Sequence, residues 1–190
     1  MTPSTLVSRI GELFKLRGNS EYGGESVTQL EHALQCAALA EQHQAPPELI
    51  VAALLHDVGH LLHELPDDAP DQGVDDHHEK SGYRYLEKYF DQAVTEPVRQ
   101  HVDAKRYLCA VDPEYAAQLS EPSQVSLALQ GGPMSATELS EFRQTPFWQE
   151  SLQLRKWDDQ AKVVDLATPP LEHFLAFIDP LVVSTDEVAQ

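Results

Sequence analysis

Apolar residues recur at helical spacing along almost the whole chain, and no run of alternating β-branched residues bounded by turns interrupts them. The pattern predicts an all-α protein. A first helix is expected over 3–16, with Leu6, Ile10, Leu13 and Phe14 on one stripe and Gly18-Asn19 ending it. Glu21-Tyr-Gly-Gly-Glu25 reads as a loop, because each of two adjacent glycines costs a helix about 1 kcal/mol. Ser26 is the expected cap of the next helix, 27–42, where small and apolar residues cover most of the circumference and so predict burial. His32 sits inside it. Pro46-Pro47 stops one helix and opens another. The stretch 49–62 is again apolar nearly all round and reads as one continuous helix holding His56, Asp57 and His60.

Residues 65–74 form an expected acidic, turn-rich loop near an entrance. A helix resumes around Asp76 with His77, His78, Tyr83, Leu86 and Phe90. Pro97 is taken as the start of a helix through Leu108 that holds His101, Lys105 and Arg106. Shorter helices are expected over 113–119, 123–129, 135–144, 146–159 and 169–178. No internal repeat is present, so 1–180 read as one domain of eight to ten helices and 181–190 as a flexible C-terminal tail.

Composition narrows the function classes. At 190 residues, 42% hydrophobic and 23% charged, the chain has the make-up of a soluble globular domain. A formal net charge of −18 repels nucleic acid and anionic lipid, so neither is an expected partner. Two cysteines, Cys36 and Cys109, make no disulfide framework. No stretch approaches the ~20 apolar residues of a membrane span, and Arg9, Glu12 and Lys15 interrupt any secretory signal. The expected location is the cytoplasm, and nothing in the pattern specifies an oligomeric state.

The nine histidines matter by position. An ionised Asp57 inside an apolar helix costs several kcal/mol unless paired or bound to a metal. A buried Asp–His hydrogen bond or an Asp–Arg pair would satisfy one such dipeptide. His60, four residues after His56, is expected on the same helix face, and His32 on the helix packed antiparallel against it. Converging imidazoles and carboxylate of this kind suit iron, manganese or zinc. His77, about 100° round from His78, is read as solvent-facing or supporting. His43, His63 and His173 are read as surface residues, and Tyr83, Tyr85, Tyr89 and Phe90 as packing rather than a cage for a methylated ammonium.

The order His32, His56-Asp57 and Asp158 resembles the HD superfamily of metal-dependent phosphohydrolases, a helical-bundle fold, with His78 and His101 standing where its two-metal members carry extra ligands. Glu-Tyr-Gly-Gly-Glu (21–25), Gln-Leu-Glu-His (29–32), His-Val-Asp-Ala-Lys-Arg-Tyr-Leu (101–108), Gln-Gly-Gly-Pro-Met (130–134) and Leu-Arg-Lys-Trp-Asp (154–158) are similar to oxygenases that cleave the carbon–phosphorus bond of 1-hydroxy-2-aminoethylphosphonates. The resemblance implies two iron ions, a mixed-valent Fe(II)/Fe(III) pair held by His32, His56, Asp57, His78, His101 and Asp158, with Asp57 bridging and O2 as co-substrate. It also implies a mobile loop in which Tyr22 occupies an open iron position until substrate arrives and Glu25 faces the substrate's amino end. His60, Lys105, Ser123, Ser126, Gln130 and Arg155 fall at or near its phosphonate-holding positions. Given that ligand set, Lys105 and Arg155 are cations four residues after a ligand histidine and three before a ligand carboxylate, as a phosphonate dianion requires; without it, either reads equally well as a solvated surface cation.

The implied reaction is oxidative cleavage of a (1-hydroxy-2-amino- or 2-trimethylammonio-ethyl)phosphonate to glycine or glycine betaine plus phosphate. Two other readings stay open on the residues alone. One is a phosphohydrolase acting on a phosphate monoester or nucleotide, and the other is a catalytically idle HD module that senses a ligand.

Overall fold

The computed structural model describes residues 2–62 and 73–183. The expected acidic loop 65–74, apart from its last two residues, lies outside them, as do His63 and the tail from 184 onward. Among the described residues the chain is helical, and its one β-type pairing is an isolated bridge between Glu21 and Thr28.

Helix α1 (Pro3–Arg17) buries Leu6, Ile10 and Phe14 on the predicted stripe. Helix α2 (Gln29–Gln42) starts at Thr28 rather than Ser26. The Thr28 hydroxyl accepts from the Glu31 amide while Glu31 accepts from the Thr28 amide, so two otherwise orphaned donors are satisfied at once. Helix α3 (Pro47–Leu55) packs on α2 across a short connection.

The expected continuous helix over 49–62 is not formed. Helix α3 ends at Leu55, His56-Asp57 form a turn, and Val58–Leu62 continue as a 3-10 helix. The physical reason lies at Gly59, where a Cβ would stand 2.0 Å from the carbonyl oxygen of His78. The tightened turn lets the start of α4 (His78–Leu86) press against this backbone, and only glycine leaves the room. His56 and His60 consequently do not share one helix face.

Pro97 does not begin a helix either. It lies inside α5 (Gln92–Val111) and leaves the Ala93 carbonyl without its helical donor. Val94, Val98 and His101 bury one face of this helix, and that packing outweighs the ~3 kcal/mol local preference against proline. The remaining elements are α6 (Pro113–Gln118), α7 (Glu121–Leu129), α8 (Ala136–Phe142), α9 (Trp148–Gln160), α10 (Leu171–Leu175) and a 3-10 turn, Asp179–Leu181. The Val183 amide still donates to Tyr89 O at 2.9 Å, so the chain is tied down at least that far.

The main core joins α1, α2, α3, α5, α9 and α10 through residues such as Leu6, Ile10, Leu54, Leu55, Val98, Leu154 and Phe174. A smaller cluster of Ala104, Tyr107, Leu108, Met134 and Phe142 gathers around the C-terminal half of α5. Between them α2, the α3 turn, α4, α5 and α9 each turn a polar residue inward.

Candidate metal centre and its pocket

Four histidines are locked through Nδ1. His32 donates to Ala161 O at 2.9 Å, His56 to Ala53 O at 2.8 Å and His101 to Val98 O at 2.7 Å, while His78 Nδ1 lies 2.8 Å from Asp76 Oδ1. A ring that donates through Nδ1 presents a lone pair at Nε2. These Nε2 atoms then meet in pairs, His32 with His56 at 3.1 Å and His78 with His101 at 3.1 Å. Two lone pairs in such contact repel unless a cation lies beside them.

Asp57 joins the two pairs. Its Oδ2 stands 3.2 Å from His56 Nε2 and 3.6 Å from His32 Nε2, and its Oδ1 stands 3.3 Å from His101 Nε2 and 3.4 Å from His78 Nε2. Asp158 completes the first group at 3.5 Å from His32 and 3.7 Å from His56. All six side chains are buried, and Asp57 Oδ1 has no hydrogen-bond donor. Burial would push the Asp57 carboxyl up, but the imidazoles of His56, His101 and His78 hold it well below the usual carboxylate range. Burial likewise opposes ionisation of Asp158, and the Arg155 guanidinium, followed by His56 and His32, holds it low. His32 is pushed down to about 4 by burial. His56 goes the other way: burial lowers it, but the Asp57 charge outweighs burial and draws a proton in. That demand for positive charge is what a metal ion satisfies. With a metal ion in place of that proton, the donors are two carboxylates and four imidazoles aimed by supporting acceptors, a set that fits a pair of transition-metal ions with Asp57 between them.

His60 offers a ring nitrogen close enough to Asp57 and His78 to share an ion with them, and so adjoins the second group. Its Nδ1 is 2.7 Å from Asp76 Oδ2, and its ring stacks on His78 at 4.0 Å. Asp76 therefore orients both His60 and His78 with one carboxylate, a role that sequence reasoning missed. The signal available was the Asp-x-His spacing before a ligand histidine.

A cavity of about 490 Å³ opens on one side of the centre. Tyr22, Glu25, His60, Lys105, Ser123, Ser126, Gln130 and Arg155 line it together with Asp57, His78, His101 and Asp158. His32 and His56 stand behind, fully buried. The Tyr22 ring stacks on His32 at 3.7 Å and its hydroxyl donates to Asp158 Oδ1 at 3.2 Å. Burial, then the charges of Asp158 and Asp57, keep this phenol protonated. Gly23 and Gly24, both at positive φ, form the turn that lets the tyrosine fold inward. Lys105 Nζ donates to Ser126 Oγ at 2.8 Å, and burial followed by the Arg155 charge pushes it down to about 7. Gln130 Oε1 is buried without a partner. The Arg155 guanidinium is engaged by Asp158 at 2.7 Å and by Asp159, with the Tyr115 hydroxyl 3.3 Å from its Nε.

Glu25 does not cap α2. Its Oε1 accepts from Ser120 Oγ at 2.5 Å and lies 3.0 Å from Lys162 Nζ, a third lining cation that sequence reasoning passed over although it follows Asp158 by four residues. His77 is half-exposed and sits 3.0 Å from Asp75. His43 and His173 lie at the surface, His173 2.9 Å from Glu41. Tyr83, Tyr85, Tyr89 and Phe90 are absent from the cavity wall, where Tyr22 is the aromatic side chain among the described residues. No described helix is long and apolar enough to cross a membrane.

The HD domain family model matches residues 30–128. Over 177 residues the chain is 46% identical to a 1-hydroxy-2-(trimethylamino)ethyl phosphonate dioxygenase (glycine-betaine-forming) of Leisingera caerulea, spanning 93% of this chain and 90% of that protein. It is 48% identical over 174 residues to hydroxymethylphosphonate dioxygenase of Gimesia maris, spanning 91% and 86%. An uncharacterized protein of Acanthamoeba polyphaga mimivirus is 41% identical over 171 residues, spanning 88% and 78%.

Proposed function

The chain belongs to the HD domain family, and we propose that it is a di-iron oxygenase that cleaves the carbon–phosphorus bond of a hydroxyalkylphosphonate with O2. The observation that carries the metal centre is Asp57, which places one oxygen in each of two groups of converging Nε2 atoms. The names of the two relatives, shared over nearly the whole chain, support O2 as co-substrate and a hydroxyphosphonate as substrate. The substrate is assigned as a (1-hydroxy-2-amino- or 2-trimethylammonio-ethyl)phosphonate. The carbon bearing the hydroxyl is oxidised to a carboxylate, O2 supplies both added oxygens, and glycine or glycine betaine leaves with phosphate and a proton.

A mixed-valent pair of irons held by the six ligands would supply the one-electron chemistry with O2 and acidify a coordinated hydroxyl. The chain's own residues do the rest. Tyr22 closes the mouth of the centre with its hydroxyl on Asp158 and swings out when substrate enters. Lys105, Ser123, Ser126, Gln130 and His60 hold the phosphonate, Lys105 by charge and the others by hydrogen bonds. Arg155 keeps unused donors on its terminal nitrogens and aims Asp158 through the pair at 2.7 Å. Glu25 faces the substrate's cationic end. Fixing both ends holds the reacting carbon beside the six candidate ligands and reduces the entropy lost on reaching the transition state.

The test is O2 uptake and phosphate release with iron-loaded protein, using 1-hydroxy-2-aminoethylphosphonate and its trimethylated analogue side by side. Stoichiometric O2 uptake and phosphate release support the reading. Phosphate release that persists anaerobically assigns a hydrolase instead, and failure of the purified protein to retain about two irons per chain assigns a ligand-sensing module.

A further inference from the structure

Lys162 is a cation of the pocket wall to which the chemistry above gives no task. Its Nζ lies 3.0 Å from Glu25 Oε1, 2.9 Å from Ser123 Oγ and 3.4 Å from Ser120 Oγ, and 5.9 Å from the centre of the Tyr22 ring. Ser120 Oγ donates to the same Glu25 oxygen at 2.5 Å. The loop carboxylate that faces a substrate's cationic end is thus already neutralised by a cation of the protein. The side chains of Lys162 and Glu25 are only 12% and 15% exposed, so water screens this pair far less than a surface pair.

We propose that Lys162 determines specificity for the group on the carbon next to the hydroxyl-bearing one, by competing with a cationic substituent for Glu25. The inference rests on the hydroxyphosphonate reading above. A substrate without that substituent, such as hydroxymethylphosphonate, leaves the Glu25–Lys162 pair intact. A trimethylammonio or ammonium substituent enters only by drawing Glu25 away from Lys162, whose ammonium then keeps the hydroxyls of Ser123 and Ser120. Removing Lys162 has opposite effects on the two substrates. It gives the cationic end an uncontested carboxylate, and it leaves the tail-less dianion facing an unneutralised one.

The experiment compares kcat/KM, by O2 uptake, for the trimethylammonio substrate and for hydroxymethylphosphonate in the iron-loaded protein and its variants. Lys162→Met is expected to raise the ratio of cationic to tail-less substrate about tenfold, the scale of one charge-assisted contact. Lys162→Arg, which retains the cation, is expected to leave the ratio near that of the unmodified protein. Should the Met variant not fold, Lys162→Gln carries the same expectation. In a Glu25→Gln background the Lys162 substitution is expected to lose its effect on the ratio, which a merely structural lysine would not do. An unchanged ratio, a shift toward the tail-less substrate, or a shift that survives in the Glu25→Gln background overturns the proposal. If the unmodified protein oxidises neither substrate, the functional reading itself fails. Anaerobic calorimetry of the same two phosphonates then still measures the ratio as one of binding constants.

Discussion

Replacing Asp57 by Asn leaves the shape of the side chain but converts one of its two ligand oxygens into an N–H donor aimed at imidazole lone pairs. Asp57→Asn is therefore expected to lower bound iron from about two per chain to one or none, by elemental analysis, with the helical circular dichroism retained. Loading equal to the unmodified protein would contradict a bridging role. Lys105 supplies a pH test. Burial and the Arg155 charge push its ammonium down to about 7, so the cationic form that attracts a phosphonate is present below that pH and is lost above it. KM for the phosphonate is expected to rise as pH goes from 6 through 7 to 9, and Lys105→Arg, which stays charged, is expected to flatten that rise. At this scale the residue types were legible before the fold: a buried Asp between histidines demands a cation. Asp76 left a local signal in its Asp-x-His spacing, whereas Lys162 and Ser120 were not legible, because their roles consist of contacts to Glu25, far away in the chain.

The turn at His56-Asp57 and the 3-10 helix after it separate His56 from His60, sending one to the His32 side of Asp57 and the other to the His78 side. Gly59→Ala would drive a methyl into His78 O, and backbone cannot yield as a side-chain tip can. An overpacking cost of about 1–3 kcal/mol is expected, seen as a lower Tm together with reduced metal loading, since His60 and the first residue of α4 both shift. At the other side of the centre, Thr28→Ala removes the capping hydroxyl of α2 and is expected to cost about 1 kcal/mol in chemical denaturation. The helices themselves were largely legible, as the stripe of α1 and the near-uniform burial of α2 show. The break at Leu55 was hidden because Val58, Leu61 and Leu62 carry the apolar pattern on past it, and periodicity does not register the backbone of α4 pressing on Gly59. Pro97 misled in the opposite sense, since local preference reads it as a helix start while packing of Val94 and Val98 carries α5 through it.

Across the molecule, the six candidate ligands come from α2, the α3 turn, α4, α5 and α9, so metals held by them would tie together elements separated by more than a hundred residues. Stripping iron with a chelator is expected to lower Tm, because the apo centre buries carboxylates and facing lone pairs without a cation. Re-addition at about a hundred times Kd should restore ~2.7 kcal/mol; an unchanged Tm would argue that the ions do not bind at this interior site. The sequence by itself determined the all-α class and the demand of Asp57 and its neighbouring histidines for a cation, because burial periodicity and a charged motif inside apolar helices are local properties of the chain; the full set of six candidate ligands came from the resemblance of its motifs to a known family. Only the tertiary structure decided which oxygen of Asp57 faces which imidazole pair, that His60 leans on Asp76, and that Lys162 already occupies Glu25. These are distances between residues up to 137 positions apart (Glu25 and Lys162), and such distances exist only once packing has brought the helices together.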